Sequence, residues 1–472
     1  MTARAPFAFG RERVMYATGA LYAIAFFALG CDRYIAHRSV EDLGIFVQSL
    51  ATAGHGFTNT IEGQSHFAVH FSPTLYLFAP FLQFAHSPLL LVAVQAIAGA
   101  LVAPPLFYMA RKRAGDDVAL GVAGVALLYP PLAGVTFTEF HENGLVPAAT
   151  LWFLCALDAR KWRAALALTF VTVGLKEDQS VIIAWLGTFA FIRARRTSDR
   201  DGERMALALI AIALAAIPLY FGLVRPLAGA RGPWHPLVFL HVADPTADIG
   251  FTRAILDRLG YVALAFAPLL LLPFRSHLLI LAVPGFAETL VSRAPVTYTM
   301  GQHYAAVWIP YVLLAFADAT CAIAANRPHR TQRLLIACAA LCATMYLIAN
   351  PLHPKYFLRA YQPRDAHLDH FLTTLPPQLD VGTQEEIYTH LGFDRRATLG
   401  IECLPAYALF DFDYPDSNWV IRDGPLLKTL VTQHRYELMR ADGAIKLFAR
   451  IGPTGRAPGA PPPSNPYEFS PC

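Results

Sequence analysis

Apolar runs approaching twenty residues recur along the chain and are separated by short polar blocks. A helix needs about 20 such residues to cross a hydrocarbon core of ~30 Å. Runs near 14–30, 88–110, 118–136, 145–157, 164–175, 179–192, 205–224, 259–274, 277–292, 304–325 and 333–349 predict about eleven spans. Several of these are too short to cross without help from their surroundings. Between the first two runs, from Glu41 to Pro73, the pattern changes. Leu43, Phe46, Val47 and Leu50 fall at i, i+3, i+4 and i+7, the apolar face of a short helix lying on a membrane surface. Ser39 stands three residues before Asp42, a capping-box spacing, and Gly54 and Gly56 stop the helix. A polar loop with His55, His66 and His70 follows, and Ser72-Pro73 opens the next helix with Pro at the first helical position. The segment 73–86 is apolar, short and holds Pro80, so it reads as a second interfacial or re-entrant helix.

Composition agrees with a polytopic membrane protein. The chain is 55% hydrophobic and 15% charged, with a mean hydropathy of +0.40, whereas a soluble domain carries about 25% charged residues. The net charge of +4 is small and its arginines sit in short blocks between apolar runs, which gives no footprint for nucleic acid. Arg111-Lys112-Arg113, Arg160-Lys161-Arg163, the arginines of 193–204 and Arg327-Arg330-Arg333 fall on one side with the basic N-terminal leader. The positive-inside rule makes that side cytoplasmic and puts the C-terminus outside. No cleavable signal peptide is evident, because Cys31-Asp32-Arg33 follows the first run. Cys155, Cys321, Cys338 and Cys342 fall inside apolar runs and read as small core residues.

After the spans, which occupy 1–350, the composition shifts. Short strands are expected at 375–384, 398–401, 418–421, 436–439 and 444–448, with a helix near 424–434. Residues 351–452 thus form a small extracytoplasmic α/β domain, and 453–472 is a Pro/Gly-rich disordered tail.

This topology puts five polar clusters on the outer side: Glu41-Asp42, His66 with His70, Glu139-Phe140-His141-Glu142-Asn143, Lys176-Glu177-Asp178 and Gln302-His303-Tyr304. Ionisable groups facing lipid are costly, so the Lys-Glu-Asp triplet between two short apolar segments belongs in a polar cavity. Each cluster also has a plain structural reading. Asp42 can serve as a helix cap, His141-Glu142 as an exposed turn, Lys176-Glu177-Asp178 as a salt-bridged turn and Gln302-His303-Tyr304 as part of an interfacial belt. His66 and His70, four apart, offer metal-type spacing if helical, with His141 and Glu142 as further ligands. The chain has no GxxxxGK[ST], GxSxG or HExxH, which argues against nucleotide hydrolysis, a serine hydrolase and a zincin.

The stretches EDLGIFVQ, SHFAVHFSP, LVAVQAIAGALVAPPL, FHEN, GLKED and QHY resemble a family of predicted bacterial multi-pass membrane proteins of unknown function over about residues 35–320. That family is similar in layout to the C-type glycosyltransferase (GT-C) fold. The resemblance implies an all-α membrane domain with juxtamembrane helices in the first outer loop, followed by an extracytoplasmic α/β domain. It also implies a plasma-membrane glycosyltransferase that takes a sugar from a polyprenyl-phosphate donor to an outer lipid, glycan or protein, with membrane lipids as its surroundings. On this resemblance Asp42, with Glu41 beside it, is the general base. Lys176 or a bound divalent cation steadies the leaving phosphate, and Glu177, Asp178, Gln302, His303 and Tyr304 bind substrate. The histidines His66, His70 and His141 depart from that fold's usual machinery. The rival reading is a transporter or lipid flippase, for which Glu288, inside the 277–292 run, is the best residue.

Overall fold

The computed structural model describes residues 8–230, 232–241, 250–414, 417–455 and 457. The leader before residue 8 and the tail beyond 457 lie outside the described residues. The first helix, Ala8–Ile35, is 28 residues long, about 42 Å at 1.5 Å per residue. Near its start, Tyr16 meets Tyr108 at 2.7 Å, Arg111 pairs with Glu12 at 3.1 Å and Arg11 with Asp117 at 2.8 Å. Near its end, Arg33 pairs with Glu139 at 2.6 Å. The basic blocks and the polar clusters therefore stand at opposite ends of the bundle.

Among the described residues, five helices are long and apolar enough to span a membrane: Gly10–Ile35, Leu89–Ala114, Arg200–Leu227, Ile309–Asn326 and Pro328–Ile348. The pair Asp116–Leu128 and Pro130–Phe137 makes a sixth if taken as one span bent by 52°. The bend falls at Tyr129-Pro130-Pro131, where the prolines remove N–H donors and push the preceding residue out of the helical region. The remaining expected spans are shorter or broken. The 259–292 stretch is the clearest case, with 3₁₀ turns at Ala267–Leu269, Leu272–Arg275 and His277–Ala282 between two helices. The segment 73–86 folds as a 3₁₀ turn, Pro73–Leu77, and a seven-residue helix, Ala79–Ala85, that leaves Phe81 and Phe84 exposed.

The helix expected after Ser39 spans Glu41–Ala51, but two of its details differ. Val40 is its N-cap and no side chain caps it; Ser39 instead hydrogen-bonds Glu139. The helix ends at Thr52, before the glycines, where the Thr52 hydroxyl donates within the last turn. Nor does it lie on lipid. Leu43, Phe46, Val47 and Leu50 enter the bundle core, and the opposite face is covered by the C-terminal sheet domain. Gly44 is what permits this contact, because a Cβ there would strike the Tyr388 ring. Gln48 donates to the Asp394 carbonyl at 2.6 Å and accepts from the Tyr388 hydroxyl at 3.1 Å.

A two-strand ladder, β1 (Thr58–Asn59) and β2 (Gln64–Ser65), follows that helix. The C-terminal sheet comprises β3 (Val381–Thr383), β4 (Ala397–Leu399), β5 (Tyr407–Asp411), β6 (Tyr436–Asp442) and β7 (Ile445–Arg450), in the order β4-β3-β5-β7-β6. Pairs β3/β4 and β3/β5 are parallel, while β5/β7 and β6/β7 are antiparallel. Two apolar clusters of its own hold it together, one on each face. The strand expected at 418–421 is the first turn of a helix, Asn418–Thr432, that accommodates Pro425. The central strand β5 was not anticipated. Its YALFD sequence is buried on both faces, so it carries no alternation to betray it. Cys321, Cys338 and Cys342 are buried in the bundle, as expected of small core residues, and Cys155 is half-buried.

Candidate active site

Asp42 occupies the first turn of the Glu41–Ala51 helix, at the seam between bundle and sheet domain. Its Oδ2 lies 3.8 Å from His303 Nδ1. The His303 ring stacks on His141, with centroids 3.7 Å apart and planes 10° from parallel. His141 Nδ1 approaches Glu142 Oε2 at 3.1 Å, and Lys176 Nζ stands 3.9 Å from Glu142 Oε1. Four separate segments thus meet in one chain of contacts running from Asp42 to Lys176.

A second layer holds the first. Glu177 accepts from His70 at 2.9 Å and from the Phe71 amide at 2.8 Å. His66 is fixed by Glu62 at 2.9 Å, and Glu62 accepts from Asn59 at 2.6 Å. Gln95, buried in a spanning helix, donates to the carbonyls of Thr138 and Glu139 and accepts from the His141 amide. One amide side chain therefore fixes the loop that presents His141 and Glu142. Gly301, at φ +101°, opens the turn that delivers His303; a Cβ there would collide with the Pro351 carbonyl. Gln302 stands at the start of that turn without capping it through its side chain. Tyr304 packs beside His303 at 4.0 Å. Asp178 faces Glu288 and is bonded by Gln179.

The electrostatics divide the groups. Asp42 keeps 29% of its side-chain surface accessible, yet its enclosure, then Glu41, Glu139 and Glu142, push its carboxyl well above the usual range against the pull of Arg33. Burial, His303 and Lys176 hold His141 well below the ordinary histidine value, and burial and Lys176 do the same to His303, so the stacked pair is neutral. Burial opposes the charge on Lys176, but Glu142, Asp178 and Glu177 outweigh it and raise the ammonium. Burial likewise opposes Glu177, but His70 and Lys176 bring it down to about 2.

Glu41 turns the other way. Its carboxyl meets Glu385 and Trp419 of the sheet domain. Burial and Glu41 push Glu385 up to about 9, so the two acids share a proton across the seam.

Among the described residues, no three of the expected metal ligands bring their ligand atoms within 4.8 Å of one another. His66 and His70 bond Glu62 and Glu177 through Nδ1, whereas His141 Nδ1 accepts from the Asn143 amide at 3.3 Å and lies 3.1 Å from Glu142 Oε2. Among the described residues the only three metal-type groups whose ligand atoms lie within 4.8 Å of one another are His37, Asp369 and His390. There the rings of His37 and His390 stack at 3.9 Å, 26° from parallel. Imidazole lone pairs lie in the ring plane, so stacked rings cannot aim both at one ion.

Arg33, Glu62, Gln95 and Glu385 complete the site and were not singled out from the sequence. The signal for Gln95 was present, a lone amide inside an apolar run; Glu385 followed an ordinary strand end.

The family model described as "Predicted membrane protein (DUF2079)" matches residues 41–374. The chain belongs to the DUF2079 family. This DUF2079 protein has no match among curated proteins. Its fold is similar to that of ArnT from Cupriavidus metallidurans bound to undecaprenyl phosphate, with a TM-score of 0.57 at 13% identity over 95% of this chain and 100% of that one. The apo state of the same ArnT gives a TM-score of 0.50 at 14% identity, over 93% and 100% of the two chains. The fold is thus a GT-C-like membrane bundle with a small C-terminal sheet domain.

Proposed function

We propose that this DUF2079 protein is a glycosyltransferase of the bacterial plasma membrane that moves a sugar from a polyprenyl-phosphate donor to an acceptor outside the cytoplasm. The observation that carries the reading is the separation of roles along one line of contacts. A carboxylate with a raised pKa, Asp42, sits at one end and a firmly charged ammonium, Lys176, at the other, with two neutral imidazoles and the Glu142 carboxyl between them. Glycosyl transfer from a lipid phosphate needs those two groups apart. The acceptor hydroxyl attacks the anomeric carbon and gives its proton to Asp42, while the carbon–oxygen bond to phosphate breaks and the phosphate leaves with the electron pair. Lys176 offsets the charge developing on that phosphate, the role left open above between it and a divalent cation. Asp42 takes the base role alone, since Glu41 is engaged with Glu385. The GT-C-like fold supports the assignment, as does the undecaprenyl phosphate bound by ArnT.

The orientation belongs to the same proposal: basic blocks in the cytoplasm and the sheet domain outside. The transporter reading loses its best residue, because Glu288 faces Asp178 and its charge acts on Lys176. It thus belongs to the same polar chamber rather than to a separate path across the bundle.

Native mass spectrometry of the purified protein tests the donor assignment. A co-purifying or added polyprenyl phosphate that is retained by wild type and lost from Lys176→Ala supports it. Equal retention by both contradicts it.

A further inference from the structure

At the basic end of the bundle, remote from Asp42, lies a cavity of about 370 Å³. It opens among the helices Ala103–Ala114, Val146–Asp158, Trp162–Val173, Asp178–Arg196 and Arg200–Leu219. Its inner wall is apolar, built from Leu154, Leu157, Leu186, Phe189, Leu278 and Leu281. Its mouth is polar and contains Arg113, Asp158, Arg193 and Asp199.

The charges at the mouth are not balanced. Asp158 is already held by Arg113 at 2.8 Å and by Lys112 at 3.2 Å. Asp199 is held by Arg160 at 2.5 Å. Arg193 has no carboxylate partner among the described residues and projects, exposed, from the last turn of its helix. A cation without a partner at the rim of an apolar cleft, in a protein surrounded by bilayer, matches an amphiphile with an anionic head and a hydrocarbon tail. Free phosphate would use the guanidinium and leave the leucine wall without function. A neutral lipid would use the wall and ignore the cation.

We propose that this cavity is a binding site for an anionic glycerophospholipid, with an acyl chain among Leu154, Leu186 and Leu278 and the headgroup phosphate on Arg193. Arginine suits the headgroup because its planar fork bonds two phosphate oxygens at once. The site is independent of the Asp42 chamber, and either assignment can fail without the other.

Native mass spectrometry of the full-length protein in detergent provides the test, with phosphatidylglycerol and phosphatidylcholine of identical chains added in parallel. Wild type should retain phosphatidylglycerol several-fold more than phosphatidylcholine. Arg193→Ala, a change at an exposed position, should abolish that preference, and Arg193→Lys should restore part of it. Ala190→Trp, which fills the cavity behind an intact Arg193, should reduce retention of both lipids. Equal retention of the two lipids by wild type would overturn the proposal. So would a preference that survives in Arg193→Ala. Loss of bound phosphatidylglycerol in Lys176→Ala rather than in Arg193→Ala would assign the lipid to the other chamber and overturn it as well.

Discussion

The His303 imidazole lies face to face on His141, with ring centroids 3.7 Å apart, and carries its Nδ1 to within 3.8 Å of Asp42. Burial and the nearby Lys176 keep both rings neutral. A neutral stack can fix the base in position without competing for its proton. His303→Ala should therefore slow transfer by about 10-fold or more by freeing Asp42. His303→Phe should restore much of the packing but not the polar contact. Rates for the two variants under donor saturation separate these roles.

The pH dependence follows from Asp42. A base must be ionised, and the Asp42 carboxyl is raised by burial and by Glu41, Glu139 and Glu142. Transfer should fall as pH drops through that raised value, above the ordinary carboxylate range near about 4. Glu142→Gln removes one of the raising charges, so the acid limb of its kcat/KM profile should move to lower pH. An unmoved limb would assign the titration to another group.

Seating of the sheet domain depends on pH with the opposite sign. Burial and the neighbouring Glu41 push the Glu385 carboxyl up to about 9. The folded state then binds more protons than the unfolded chain between the ordinary Glu value and 9. The contact is therefore intact at low pH and weakens as pH rises through that window. Protection factors in the Glu41–Ala51 helix, the intrinsic base-catalysed exchange rate divided by the observed rate, should fall toward pH 9 in wild type, and Glu385→Gln should flatten that fall.

Gly44 sets how closely the sheet domain approaches the bundle. Gly44→Val places a branched side chain where Tyr388 packs, and overpacking of this kind costs about 1–3 kcal/mol. Limited proteolysis should then cut between the bundle and the sheet domain faster than in wild type. Gly44→Val with Tyr388→Ala should recover part of the loss.

Much of this was legible in the sequence because membrane burial writes a simple pattern. The long apolar runs gave the bundle, and the i, i+3, i+4, i+7 spacing of Leu43, Phe46, Val47 and Leu50 gave the Glu41–Ala51 helix and its buried face. The pattern could not say what covers that face, so a helix packed under protein read as one lying on lipid. Asp42, His141, Glu142, Lys176 and His303 could be chosen because ionisable groups stand out in an apolar chain. Their partners could not be chosen. Arg33 looked like an ordinary loop cation, and Glu385 lies more than three hundred residues from the Glu41 it meets. The histidine spacing suggested a shared ion, but spacing does not encode the tertiary contacts that orient the rings, such as Glu62 on His66, Glu177 on His70 and the Asn143 amide on His141.

The most direct measurement is sugar transfer from a radiolabelled polyprenyl-phosphate donor in vesicles, comparing wild type with Asp42→Asn and Glu41→Gln. Loss of a positioned general base costs about 10²–10⁴-fold. The account predicts that drop for Asp42→Asn with donor binding retained, and a far smaller effect for Glu41→Gln. Transfer by Asp42→Asn at the wild-type rate would contradict it.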